Sequence, residues 1–235
     1  MALRANVSAT WYTWLEQGRG GAPSAQVLDR IASALMLMDV EREHLFLLAL
    51  GRTPEVRYQA VETVTPRLQR VLDGLCFSPA YVKTSAWDIV AWNRAATVVL
   101  TDYGALQPRE RNILRLMFCN PSVRDKQSDW NSVARFVVAA FRADVTRAGA
   151  LASASVRALV DDLCQINPDF EKLWRDNDVR STYGELAKVL IHPVAGAISL
   201  EYSAFAVDGR PELDLVVYNP VTKDDATRIR RLMTP

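Results

Sequence analysis

Apolar and polar positions along the chain follow two periods, near 3.6 at the start and near 2 in parts of the remainder, and the change between them divides it. From Ser8 to Gln17 the sequence SATWYTWLEQ predicts a short helix, with Ser8 as N-cap, Trp11 and Leu15 on one face and Gly18 as the stop. Pro23-Ser24 opens a second helix in which Leu28, Ile31, Ala32 and Leu35 recur at helical spacing. Asp39 is expected to cap a third, carrying Val40, Leu45, Leu47 and Leu48. Gly51 to Pro66 has weaker periodicity and two prolines, Pro54 and Pro66. Residues 51–66 are therefore read as a linker between a small all-helical domain, 1–50, and a larger domain, 67–235.

In the larger domain Leu68, Val71, Leu72 and Leu75 predict an amphipathic helix that ends near Ser78-Pro79. Tyr81–Thr84 and Trp87–Trp92 then read as two short strands around Ser85-Ala86, and Asn93 caps a helix through Val99. Helical patterns cover Arg109–Phe118, Asp129–Arg147, Ser155–Cys164 and Phe170–Arg175. Lys188–Tyr218 returns to alternation, as in Ile198-Ser199-Leu200-Glu201-Tyr202, the mark of a sheet with one wet face, and Asp224–Leu232 forms a last helix. The class expected is α+β, an antiparallel sheet with flanking helices that leaves a natural pocket between the two.

Composition changes this picture little. Hydrophobic residues make up 49% and charged residues 23%, without the run of roughly 18 apolar residues that a membrane span requires. Met1-Ala2-Leu3-Arg4 lacks the pattern of a secretory signal, so a cytoplasmic protein with no membrane partner is expected. The balance of 28 basic to 27 acidic side chains advertises no polyanionic partner, and residues 1–65 hold six Lys/Arg against seven acids. Any reading of DNA therefore rests on motif alone. Cys76, Cys119 and Cys164 form no CxxC pair, which fits reduced, packed thiols rather than a disulfide framework or a zinc site. His44 and His192 are the only histidines, and the sequence holds no HExxH, nucleophile elbow or phosphate-binding glycine loop. No catalytic residue, metal site or cofactor is expected.

The string from Val7 to Arg19, with its Trp-Tyr-Thr-Trp-Leu-Glu-Gln-Gly-Arg wording, resembles the recognition helix of Cro/repressor-type regulators and in particular the MmyB-like kind. Ala91-Trp92-Asn93-Arg94-Ala95-Ala96, Glu110-Arg111-Asn112-Ile113-Leu114, Asp129-Trp130, Leu173-Trp174, Asp178-Val179 and His192-Pro193 follow in that family's order, so the resemblance covers nearly the whole chain. It implies a ligand-responsive, sequence-specific DNA-binding transcription regulator. Its partners are double-stranded DNA and, in a PAS-like second domain, a small hydrophobic molecule, with fatty acids as a class. It also implies that the first helix of the DNA-reading domain is missing and that Met1–Ala5 is the tail of the second, with further residues expected upstream.

A helix-turn-helix meets base edges and a phosphate with the first turn of its second helix, which places Ser8, Ala9, Thr10, Thr13 and Trp14 at DNA and turns Trp11, Tyr12 and Leu15 inward. Two-fold operators make a homodimer the expected state. For the ligand, Asn93, Arg94, Arg111 and Asn112 are polar groups beside apolar stretches, suited to fixing a carboxylate, with Trp87, Trp92, Trp130, Trp174 and Tyr202 as candidate walls. The competing reading is a small-molecule-binding or interaction module that has lost DNA binding.

Overall fold

The computed structural model describes residues 1–19, 21–51, 54, 63–147, 153–176 and 188–234. They fall into two compact units, Met1–Glu55 and Val56–Pro235. Most of the expected linker, and the Asp178-Val179 motif, lie outside the described residues.

The first unit is helical. Helix α1 (Ala9–Glu16) begins where the Ser8 hydroxyl accepts the Trp11 N–H, and α2 (Ala25–Leu35) where Ser24 does the same for Val27. Helix α3 (Asp39–Leu50) is capped one residue earlier than expected. Met38 is its N-cap, and Glu41 reaches back to the Met38 N–H at 2.8 Å, so Asp39 is already the first helical residue. Met1–Ala5 makes a single helical turn, with the Ala5 N–H on the Met1 carbonyl, and it closes as a helix C-terminus does: Asn6 is left-handed at φ 51, and the Asn6 and Val7 N–H groups return to the Leu3 and Ala2 carbonyls. Ala5, Leu28, Ile31, Ala32 and Phe46 are among its buried side chains, while Val40, Leu47 and Leu48 of α3 are exposed. Arg42 fastens α3 to α2 through Asp29 at 2.7 Å.

In the second unit Pro66 is the first residue of α4 (Pro66–Gly74), capped by Thr65, because a proline at that position loses no helical hydrogen bond. Strands β1 (Ala80–Thr84) and β2 (Ile89–Trp92) form a hairpin, and β3 (Lys188–His192), β4 (Gly196–Val207) and β5 (Arg210–Pro220) a meander. All pairings are antiparallel in the order β2-β1-β5-β4-β3, so β1 lies beside the distant β5 with Tyr81 opposite Val216. Trp87, expected inside the second strand, instead sits in the turn at φ 65, where its indole N–H reaches Asp144 at 2.9 Å. A non-glycine residue takes that conformation only where its surroundings enforce it.

Between β2 and β3 the chain makes α5 (Arg94–Val99), α6 (Ile113–Cys119), α7 (Pro121–Asp125), α8 (Trp130–Arg147), α9 (Ala154–Ile166) and α10 (Pro168–Arg175), and it closes with α11 (Lys223–Met233). The helix expected over Arg109–Phe118 is broken at Arg111-Asn112, because the Asn112 side-chain Oδ1 caps α6 by accepting the Leu114 N–H and the backbone there bridges to Asp88. One sheet face, with Ala80, Val82, Leu213 and Val217, packs on α4 through Leu72. The opposite face, with Tyr81, Val216, Tyr218, Ile198, Leu200 and Leu190, packs on α5 and α11 through Ala96, Val99 and Ile229. Helices α6, α8, α9 and α10 enclose a third cluster around Phe141 and Phe170.

Asn93 joins these layers. Its Oδ1 accepts from the Ala80 and Ala96 N–H groups at 3.0 and 2.9 Å, while its Nδ2 faces the carbonyls of Leu72, Leu75 and Ser78 at 3.3, 2.8 and 2.9 Å. One buried amide thus caps α5, closes α4 and starts β1. Asn93→Leu takes a partner from each of these backbone groups, of which the Leu72 carbonyl keeps the Leu75 N–H, at about 1–3 kcal/mol for each group left unsatisfied. The expected outcome is a urea unfolding midpoint lowered by the equivalent of at least 3 kcal/mol. Asn93→Asp, which sets a buried carboxylate oxygen against three carbonyls, should be at least as destabilising at neutral pH.

Candidate functional site

The expected DNA-facing residues occupy one exposed stretch of the first unit. Ser8, Ala9, Thr10, Thr13 and Trp14 are all exposed, whereas Trp11, Tyr12 and Leu15 are half-buried. Spacing explains the division, since positions 9, 10, 13 and 14 adjoin on one side of a helix. The Thr13 hydroxyl turns back to the Ala9 carbonyl at 3.0 Å, and the Trp14 side chain stands 51% exposed for a residue of its size and apolarity.

In the second unit a cavity of about 70 Å³ lies between the inner sheet face and the stretch from the end of α5 to Gln127. Its walls are apolar side chains of β2, α6 and α7, with Tyr81, Tyr103 and Tyr218 among them. Tyr81 and Tyr218 stand hydroxyl to hydroxyl at 3.5 Å, and burial pushes the Tyr81 and Tyr103 phenols well up, so both remain protonated.

Two cations enter this cavity, Lys126 and Lys188. The Lys126 ammonium donates to the Leu100 carbonyl at 2.8 Å. The Lys188 ammonium lies 5.5 Å from the centre of the Tyr218 ring. No carboxylate lines the cavity among the described residues. Desolvation lowers both lysines, Lys188 to about 8. Lys83 shows what the same sheet face does when a lysine is purely structural. It is 2% exposed, and its ammonium lies 3.0 Å from both Asp144 and Asp214. Buried charges are normally paired in that way. Beside the two cavity lysines, Gln127 donates its Nε2 to the Val123 carbonyl at 3.2 Å, while its buried Oε1 has no donor among the described residues.

The residues expected to bind ligand lie elsewhere. Arg94 is exposed. Arg111 directs its guanidinium at the Tyr103 and Leu106 carbonyls, 2.8 Å each, and stacks over Trp92 at 5.2 Å. Asn93 spends its amide on backbone, and Asn112 donates to the Ala86 carbonyl and the Asp88 carboxylate at 2.9 and 2.8 Å. Trp130 and Trp174 belong to the helical cluster, on Phe118 and Phe170 respectively, and Trp87 packs on Phe141. Only Trp92 and Tyr202 come close, as supports behind cavity residues: Trp92 lies 5.5 Å from Tyr103 and Tyr202 5.6 Å from Tyr218, ring centre to ring centre. Sequence reading missed Lys126, Gln127, Lys188 and the three tyrosines. One signal was available, in that Lys188 shares the strand phase of the buried Leu190 and His192 and therefore points inward.

His192 is structural as well. Its Nδ1 accepts from the Val194 and Ala195 N–H groups at 3.2 Å each, which makes Nε2 the donor to the Val98 carbonyl at 3.2 Å, and desolvation lowers its basicity. Among the described residues no cluster of metal-ligating side chains occurs, and no helix is long and apolar enough to cross a membrane.

A helical unit that displays one capped helix outward, together with an α+β unit built around a cation-bearing cavity, is the plan of a DNA-binding regulator with a small-molecule sensor. Residues 64–233 match the MmyB-like transcription regulator ligand binding domain, and residues 1–45 match a helix-turn-helix domain. The chain belongs to the MmyB-like transcription regulators, and it is a ligand-responsive DNA-binding regulator. No curated protein matches it.

A lysine held at about 8 instead of its ordinary 10.5 binds fewer protons in the folded state than in the unfolded state between those values. Stability should therefore rise with pH from about 8 to about 10.5, the cost of the buried charge being fully present below that window. Lys188→Met is expected to stabilise the free protein at pH 7 by about 1–3 kcal/mol and to flatten the rise, as read by denaturant titrations across that range.

Proposed function

We propose that the chain is a homodimeric, sequence-specific regulator that senses the acid of a small apolar molecule, with fatty acids as the class, through Lys126 and Lys188. The observation that carries this reading is the pair of cavity lysines without a carboxylate. An anionic head group relieves both desolvated charges at once, and the protonated tyrosines add neutral donors suited to carboxylate oxygens. The cavity sets the scale of the ligand: about 70 Å³ corresponds to about five waters. A short acid enters the cavity as it stands, and a longer chain must displace wall side chains such as Leu116, Met117 and Val123. A ligand that has to move the walls differs in affinity between two arrangements of the unit, which is what a response requires.

For DNA, the reading rests on Ser8, Ala9, Thr10, Thr13 and Trp14 sharing one exposed stretch at a helix start. The competing module without DNA contact has one observation in its favour, the absence of excess basic charge in residues 1–65.

A gel shift over a salt series, with the DNA that flanks the protein's own gene, separates the two. The regulator is expected to show saturable, sequence-dependent retardation that weakens as salt rises, and Thr13→Ala and Trp14→Ala to cost roughly 1–3 kcal/mol each at preferred sites. In the same preparation octanoate should alter the shift, and the double change Lys126→Met, Lys188→Met should abolish that effect with DNA binding intact. Retardation equal on random DNA would sink the regulator reading, and an octanoate response that survives in the double variant would sink the role of the lysines.

A further inference from the structure

The chain holds five lysines, and their surroundings separate one of them from the rest. Lys172 and Lys223 stand exposed in water. Lys83 donates to Asp144 and Asp214 and Lys126 to the Leu100 carbonyl, so both of these nitrogens are engaged. Lys188 has no carboxylate or hydrogen-bond acceptor among the described residues, and its ammonium lies over the Tyr218 ring. Two observations put that nitrogen on the cavity side of the sheet. Lys188 shares the strand phase of the buried Leu190 and His192, and Tyr218 is itself a wall of the cavity. An amine held against apolar walls and a ring face is poorly hydrated as a cation, which favours its neutral form, and Lys188 is lowered to about 8 in consequence. About a tenth of it is then neutral at pH 7, with a free lone pair facing the cavity.

We infer that Lys188 is a covalent sensing residue, whose amine forms a reversible imine with an apolar aldehyde that enters the cavity. This rests on the reading of the cavity as the ligand site and extends it from acids to aldehydes, so that Lys188 serves as a charge toward the first and as a nucleophile toward the second. The neutral nitrogen adds to the carbonyl carbon, the carbonyl π pair moves to oxygen, and a proton passes from nitrogen to that oxygen to give a carbinolamine. Loss of the hydroxyl together with the remaining N–H proton as water leaves the C=N bond. The step needs no oxidant or reductant, and water is its only by-product. The protonated Tyr81 and Tyr103 phenols on the same walls supply hydrogen-bond donors suited to the carbonyl oxygen. A neutral imine also leaves the cavity with one cation instead of two, which lowers the cost of the buried charge. An aldehyde carries one chain on its carbonyl carbon and a ketone two, and a space of about 70 Å³ suits the former.

Octanal with cyanoborohydride, which reduces an imine to a stable secondary amine, tests this on the full chain at pH 7, the alkylated peptides being located by mass spectrometry. The expected result is labelling of Lys188 at least about tenfold faster than of Lys172 or Lys223, and slowed by an excess of octanoate. Labelling led by the exposed lysines overturns the inference and leaves acid sensing in place, since that reading is tested by octanoate alone. Labelling of Lys188 that octanoate does not slow supports the imine and counts against the acid. Lys188→Arg, which keeps the positive charge and cannot form the imine, should lose the response of the gel shift to octanal and keep the response to octanoate. An octanal response that persists undiminished in Lys188→Arg overturns the assignment to Lys188. The peptide map needs no variant and stands even if Lys188→Arg fails to fold.

Discussion

The second unit depends on one constraint: β1 must be paired along both edges and covered on both faces. Every residue from Ala80 to Thr84 is buried, with β2 on one side and the far end of the chain, β5, on the other. Pairing Tyr81 with Val216 closes a loop of well over a hundred residues, which favours folding only if many contacts form together. The Asn93 amide makes that closure specific, because the end of α4, the start of β1 and the cap of α5 all need the same side chain in the same place. Asn112 resembles Asn93 in capping a helix with its oxygen, while its nitrogen anchors one backbone carbonyl, that of Ala86, and the Asp88 carboxylate.

On the inner face that this closure creates, lysines are treated in two ways. Lys83 lies between two carboxylates and beside the Trp87 ring, and it ties β1 to α8 and β5. Lys188 and Lys126 line a cavity whose described walls supply no carboxylate. The first arrangement is complete within the chain. The second raises the energy of the free protein, a cost that an anion in the cavity would offset.

The resemblance identified the regulator class correctly, but the residues expected to hold the ligand are mostly those that hold the domain. Asn93, Arg111, Asn112, Trp130 and Trp174 each serve a backbone carbonyl, a helix cap or an aromatic cluster. A sparse polar residue beside apolar stretches looks the same in sequence whether it faces a ligand or an orphan backbone group, and buried backbone groups are far more numerous than ligand atoms.

What the sequence determined by itself was local. The caps at Ser8, Ser24 and Asn93, the helical stripe of α2, the alternation in β4 and β5 and the α+β class all arise from interactions within a few residues, so they were legible. The bridge that breaks the helix before α6 and the contact of the Trp87 indole were not, because each needs a partner remote in sequence, Asp88 in one case and Asp144 in the other. The site belongs to this second kind. Tyr81, Lys126, Lys188 and Tyr218 meet only because β1 pairs with β5 and the segment at Gln127 bridges to β3 at Leu190. Periodicity tells which side chains point inward; only the tertiary pairing decides which of them converge on one cavity and which find a charge of opposite sign.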